Sequence, residues 1–253
     1  MASGRLATEI RGRLSRTIYP RLGRLVDAAL RHQLRVGDCL VDTSSPYIDP
    51  TTVARMFLHR YEAPELRFIR ERLPRDLEVV ELGASIGVTS AHVAQRLLPG
   101  RRLICVEANP HLLPLLRATV ARNAPGRDLT VLHQAIDYSG APTAHLDVSP
   151  INTNSHLGAT GYAVAATTLS ALLARYRLEH LALIVDIEGA ELGLIRNDAA
   201  ALRRVQFLLI ECHVTEHEGE TWTPARMQAA LISDHGFTLR AARGPVYVFD
   251  RLA

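Results

Sequence analysis

The sequence predicts an α/β fold, a mostly parallel sheet sandwiched between helices and preceded by a helical extension. Three observations carry this reading. From Val79 onward, short apolar runs alternate with segments of helical spacing. The run Val79-Val80-Glu81-Leu82 is hydrophobic on both sides, as befits a strand buried under helices on both faces. It ends in a glycine-bearing turn, Gly83-Ala84-Ser85-Ile86-Gly87, where the backbone can bend sharply, and helical spacing follows from Val88 to Leu98. The length of 253 residues suits one large domain over 76–253 with an extension over 1–75.

The extension is the most basic part of the chain. Leu6, Ile10, Leu14 and Ile18, then Leu22, Leu25, Val26, Ala29 and Leu30, sit at helical spacing on either side of Pro20. Two amphipathic helices are expected, packing their apolar stripes on the main domain or on a second subunit, so a homo-oligomer formed through them stays open. An interfacial membrane helix or a targeting peptide is the competing reading. From Val36 to Thr52 helical periodicity is lost and Gly37, Asp38, Pro46, Asp49 and Pro50 accumulate, which predicts a loop or linker. Thr51 or Thr52 then caps a helix through Leu58, and another helix runs from Pro64 to Leu73.

Beyond the glycine turn, strand 102–107 leads to a helix from Pro110 to about Asn123, and a third strand runs from Leu129 to Ile136. Strands 143–147 and 162–167 flank a polar loop, Ser149 to Thr160, a plausible substrate contact. A helix from Leu169 to Arg177, strands 181–186 and 205–210, a helix from Pro224 and two antiparallel strands near 236–241 and 245–250 complete the order.

Composition excludes several classes. No uninterrupted apolar run approaches twenty residues, so no membrane span is expected, and no secretory signal is evident. Cys39, Cys105 and Cys212 are odd in number and widely spaced. They read as reduced core residues, compatible with a cytoplasmic protein. All 29 basic residues are arginine, yet the net charge is only +3 and no interleaving of basic and aromatic residues points to nucleic acid.

The turn reads as a nucleotide-type cradle, with an ordinary strand-to-helix turn and a satisfied acid as the alternative, and Glu107, at the end of the next strand, lies where a ribose-binding carboxylate belongs. A dinucleotide fingerprint would place glycine at Ser85 and Val88, and a P-loop would need a lysine that the chain lacks. Phosphate is therefore disfavoured. Glu81, just before the turn, would repel a phosphate but could hold the ammonium of an amino-acid tail, which points to S-adenosylmethionine.

Four segments come in the order and spacing of one family: Glu81 to Gly87, Val106-Glu107-Ala108-Asn109-Pro110, Asp186-Ile187-Glu188-Gly189-Ala190-Glu191, and Ile210-Glu211-Cys212-His213. The chain resembles the FkbM-type S-adenosylmethionine-dependent methyltransferases from Tyr61 to about Ile232. Three positions depart from the family pattern: Glu81 stands for Asp, Ser170 for Asp, and Ile184 for a Lys that would be a candidate base. The resemblance implies the class I methyltransferase Rossmann-like sandwich with a seven-stranded, mostly parallel sheet. It also implies a cofactor site at Glu81, Gly83, Ala84, Ser85, Gly87, Glu107, Ala108, Ala135, Ile136 and Asp186, with the adenine ring at Ala135-Ile136-Asp137. Tyr61 and Glu62 either help close that pocket or serve only packing and an early helical turn.

Methyl transfer to an alcohol needs a proton acceptor. Asp186, Glu188, Glu211 and His213 fall at adjacent strand ends, and His213 has the ordinary pKa of a neutral base. Asp186, His213 and Glu188 are the catalytic candidates, with Glu188 and Glu191 alternatively capping the next helix. No metal ligand is assigned, although Asp186, Glu211 and His213 could hold a divalent ion. The run from Glu216 to Glu218 reads as a solvated loop, and Trp222 as either an acceptor roof or core. The expected activity is O-methylation of a small-molecule or sugar hydroxyl, as in natural-product or glycan tailoring. N-methylation and a non-catalytic binding module are the alternatives.

Overall fold

The computed structural model describes residues 17–147, 156–157 and 161–251. The first predicted helix and nearly all of the polar loop lie outside them. Helix α1, Tyr19–Ala29, carries Pro20 in its first turn, so the proline opens this helix as well as interrupting the pattern before it. Strands β1, Gln33–Val36, and β2, Cys39–Asp42, follow as an antiparallel hairpin. The predicted loop is thus partly strand. Leu34, Val36, Cys39 and Val41 alternate inward, a period-two signal too short to stand out among polar neighbours. Helix α2, Pro50–Phe57, is capped by Asp49, whose side chain accepts from Thr51 N and Thr52 N, rather than by either threonine. Helix α3 spans Ala63–Arg72.

Strand β3, Glu78–Leu82, helix α4, Val88–Arg96, and strand β4, Arg102–Glu107, form the first parallel crossover. Helix α5, Leu113–Asn123, begins three residues later than predicted, because the Asn109 side chain accepts from His111 N and holds a turn at 110–112. Strand β5, Asp128–His133, stops at Gln134, and Ala135–Ile136 forms a separate short strand, β6. Strands β7, Thr143–Asp147, β8, His156–Leu157, and β9, Tyr162–Thr167, join β6 in a small sheet. Then come helix α6, Leu169–Tyr176, strand β10, Leu181–Val185, helices α7, Glu191–Asn197, and α8, Ala199–Leu202, and strand β11, Val205–Glu211. Strands β12, Thr215–His217, and β13, Glu220–Trp222, pair as a hairpin where a solvated loop was predicted. Helix α9, Pro224–Ser233, and strands β14, Thr238–Arg243, and β15, Val246–Asp250, close the chain.

The central sheet has seven strands in the order β14-β15-β11-β10-β3-β4-β5, and β15 alone runs against the others. From β3 the chain steps outward through β4 and β5, then returns to β10 on the other side. A topological switch therefore falls between β3 and β10, where open α/β sheets place a ligand. Buried aliphatic residues fill both faces, with Val80, Leu183 and Leu208 on one and Val79, Ala182 and Leu209 on the other. The extension is part of this packing. Val26, Val41, Val53 and Met56 share one cluster with Ile86, Val88 and Leu112 beside the glycine turn. Among the described residues no helix is long and apolar enough to cross a membrane.

Candidate active site

At the carboxyl ends of β3, β4 and β10 lies a crevice open to solvent. Its walls include Gly83, Ser85, Glu107, Ala108, Ala135, Ile136 and Asp186, seven of the residues predicted at the cofactor, together with Tyr61, Glu62 and Glu188. The strand ends are stitched together: Gly83 N donates to Val106 O and Asp186 N to Leu82 O. Gly83 has φ +83°, and a Cβ there would lie 1.7 Å from the Asp186 carbonyl oxygen. The glycine is thus required by the close approach of two strand ends, not by ligand access alone.

Three predicted cofactor residues stand back from the crevice. Gly87 is the N-cap of α4 and packs against Leu116. Ala84 lines a smaller cavity behind the crevice, with Glu62, Glu65, Glu81, Asp186 and Glu211. Glu81 is 2% exposed, and its Oε2 accepts from Ser90 Oγ at 2.6 Å and Cys105 Sγ at 3.3 Å. Strand alternation turns this side chain toward α4, so the predicted direct hold on an ammonium from the crevice wall does not match its position. Burial pushes its carboxyl up to about 8.

Glu107 faces the crevice and also braces it: Oε2 accepts from Ser85 N and Oε1 from Asn109 N, each at 2.7 Å. Tyr61 is almost fully buried and hydrogen-bonds with Glu62 and Ser85, and Glu62 accepts from Thr89 Oγ1. Glu62, Ser85 and Glu188 have φ of +44°, +47° and +49°. Three left-handed non-glycine residues around one crevice mark it as a place where packing holds strained backbone. Sequence reading missed Gln134, whose Oε1 is buried without a hydrogen-bond partner at the adenine end predicted from Ala135 and Ile136. The break between β5 and β6 puts it there, and no periodicity signals such a break.

At the other end stands an acid and histidine cluster. His213 Nδ1 lies 3.0 Å from Glu191 Oε1, and Glu191 has no exposed surface. That carboxylate also accepts from Ile187 N and Gly189 N, so it fixes both the loop after β10 and the imidazole. The remaining ring nitrogen, Nε2, is 3.5 Å from Glu188 Oε2 and 4.0 Å from both Asp186 Oδ1 and Glu211 Oε1. Burial alone would lower the His213 pKa, but Glu191, Asp186 and Glu188 outweigh it and raise it to about 9, above the neutral range expected from sequence. Burial, then Glu211 and Glu188, raise Asp186 well above the usual carboxylate range. Asp186 and Glu188 line the crevice, whereas Glu211 and His213 stand behind them. Trp222 lies outside the crevice lining, under the Arg226 guanidinium at 4.0 Å.

The family model of the methyltransferase FkbM domain matches residues 81–239, which take in the strand ends and the acid and histidine cluster but not Tyr61 and Glu62. The chain belongs to the FkbM methyltransferase family. It carries an S-adenosylmethionine-dependent methyltransferase domain. No curated protein matches the methyltransferase. Solved structures similar to it include a protein of the NADB-Rossmann superfamily from Streptococcus agalactiae, 12% identical over 74% of this chain and 67% of that one, with a TM-score of 0.46. A precorrin-6y C5,15-methyltransferase from Geobacter metallireducens is 16% identical over 76% and 87%, with a TM-score of 0.42. A putative tRNA (m1A22) methyltransferase from Streptococcus pneumoniae is 10% identical over 74% and 68%, with a TM-score of 0.45. Similarity at this level does not extend to the acceptor.

The crevice fits the methyl donor on two counts. Gln134, in the wall beside Ala135 and Ile136, has a buried carbonyl oxygen without a hydrogen bond, and Asp186 Oδ1 is buried without one, 4.0 Å from His213 Nε2. Two such acceptors along one crevice suit a ligand with donors at both ends, such as an adenine amino group and an α-ammonium.

Proposed function

We propose that the methyltransferase transfers a methyl group from S-adenosylmethionine to a hydroxyl of a small molecule or sugar. One observation carries this reading: the crevice wall holds the Glu188 carboxylate, a proton-accepting group, beside Asp186, with no arginine among the lining residues. A hydroxyl must shed its proton as its oxygen attacks, and a carboxylate at that point supplies the acceptor.

Bound S-adenosylmethionine supplies an electrophilic methyl group on a sulfonium. Gly83, Ser85, Ala108, Ala135 and Ile136 shape the adenosine side of the crevice, and Glu107 presents its carboxylate to the ribose. Gln134 Oε1 would accept from the adenine amino group, and Glu62 and Asp186 would face the ammonium end. Asp186 holds the acceptor hydroxyl, and Glu188 Oε2 takes its proton. His213, fixed by Glu191, stands 3.5 Å behind that oxygen and steadies its charge. Tyr61, buried between Glu62 and Ser85, excludes water from the opposite wall.

The test is to measure turnover and S-adenosylhomocysteine binding together on Glu188→Gln, with a panel of hydroxylated small molecules and sugars. Turnover is expected to fall by roughly 10²-fold or more with nucleotide binding intact. Undiminished turnover in this variant would remove Glu188 as the proton acceptor.

A further inference from the structure

The function proposed above leaves Glu65 and Glu211 without a task and uses only one face of His213. Behind Asp186 the smaller cavity is walled by the carboxylates of Glu62, Glu65, Glu81, Asp186 and Glu211, with no arginine or histidine among its lining residues. Ile184 adds an apolar side chain to this wall, so the cavity's lining supplies no cation. Two of the acids have local partners: Glu81 accepts from Ser90 and Cys105, and Glu62 from Thr89. Glu65 is different. It is 6% exposed, it lines the cavity, and its Oε2 has no hydrogen-bond partner. Asp186 Oδ1 is likewise buried and unpaired. Buried carboxylate oxygens in this state call for a partner from outside the chain.

His213 supplies the other half of the observation. Its Nδ1 is taken by the buried Glu191, which leaves Nε2 facing Glu188 Oε2 at 3.5 Å and Asp186 Oδ1 and Glu211 Oε1 at 4.0 Å each. One ligand atom from each of Asp186, Glu211 and His213 falls within 4.8 Å of the other two. An imidazole held through one nitrogen by a carboxylate, with the other nitrogen facing further carboxylates, is how proteins present histidine to a metal.

We propose that Asp186, Glu211 and His213 bind a divalent cation beside the methyl-transfer crevice, with Glu65 lying beside Glu211 behind it. Two carboxylates and one imidazole, with no thiolate, suit Mn²⁺ or a similar first-row divalent ion better than a thiophilic metal. The proposal rests on the O-methyltransferase reading for its purpose. An acceptor hydroxyl that meets the cation becomes more acidic. Its O–H bond breaks with the proton going to Glu188, the oxygen forms the new bond to the methyl carbon, and the pair of the breaking S–C bond stays on sulfur.

The experiment titrates EDTA-treated, dialysed protein with Mn²⁺, following free Mn²⁺ by electron paramagnetic resonance with neither methyl donor nor acceptor present. One equivalent is expected to bind to the wild type, with Glu211→Gln and His213→Gln each weakening it at least tenfold. Thermal melts of the metal-free variants establish that they fold. Absence of stoichiometric binding, or equal binding in both folded variants, would overturn the proposal. The two readings fail separately. Full O-methylation in EDTA would remove the cation and leave the function standing, whereas tight, cluster-dependent Mn²⁺ binding without O-methylation of any hydroxylated acceptor would uphold the site and remove the function.

Discussion

Oε1 of Glu191 lies 3.0 Å from Nδ1 of His213, and no part of the Glu191 side chain reaches solvent. The same carboxylate ties down Ile187 N and Gly189 N, so one residue sets the loop after β10 and the orientation of the imidazole. Glu191→Ala leaves all three donors unpaired in a buried place, a loss of roughly 1–3 kcal/mol. Glu191→Gln keeps an acceptor but removes the charge. Turnover in the glutamine variant should drop about 10–100-fold with S-adenosylhomocysteine binding within twofold of wild type. Steady-state kinetics beside calorimetry checks this, and unchanged turnover would show that the orientation of His213 does not matter.

Gly83 separates two explanations of a glycine at a nucleotide turn. Its missing Cβ leaves space for the Asp186 carbonyl, 1.7 Å from where that atom would sit. Gly83→Ala should therefore destabilise the whole fold, by about 3 kcal/mol or more, since steric conflict with backbone adds to the left-handed strain. Gly126 also has positive φ, +74°, but nothing lies within 4 Å. Gly126→Ala should lose only about 1–2 kcal/mol. Urea midpoints of the two variants would test the contrast, and equal losses would contradict it.

Glu81 makes stability depend on pH in a definite direction. Burial raises its carboxyl from the ordinary 4.5 to about 8 in the folded protein. A raised pKa means that the folded state holds the proton more tightly than the unfolded chain. The stabilisation is therefore complete below about 4.5 and is lost as pH climbs through about 8. Glu81→Gln removes this dependence while keeping an acceptor for Ser90. Relative to wild type, the variant should gain on the order of a few kcal/mol between pH 5 and pH 9, as followed by chemical unfolding. A constant difference across that range would show that Glu81 is not held protonated.

Gln134 provides a test of the adenine end. Replacement by leucine preserves volume and removes an unpaired buried oxygen, so folding stability should stay level or rise. Affinity for S-adenosylhomocysteine should nevertheless fall about tenfold, the loss of one neutral hydrogen bond in a closed site. Isothermal titration of the folded variant decides this, and an unchanged affinity would place the adenine amino group elsewhere.

The sheet was legible in the sequence because its strands are apolar on both sides and each of the central ones ends in an acid, a glycine or both. Glu107, Asp186 and Glu188 reached one crevice for that reason. Other features were hidden for physical causes. Glu81 sits one residue from the strand end, and only the helix packed above the strand decides that Ser90 and Cys105 receive it. Glu191 looks in sequence like any first-turn acid, since its partner His213 is 22 residues away. The β1–β2 hairpin has two inward residues per strand, too few for periodicity to emerge from the polar stretch around Gly37. Gln134 became a site residue because β5 ends before it, a break set by the switch from the central sheet to the small one.

The most direct measurement of the central claim is product analysis with S-adenosylmethionine carrying a ¹³C methyl group, incubated with the wild-type enzyme and hydroxylated acceptors that also bear an amine. The methyl carbon shift tells oxygen from nitrogen attachment. Label on oxygen, lost in Glu188→Gln, is the predicted result. Label on nitrogen, or no transfer to any acceptor from an enzyme that binds S-adenosylhomocysteine, would contradict hydroxyl methylation at the Asp186 and Glu188 end of the crevice.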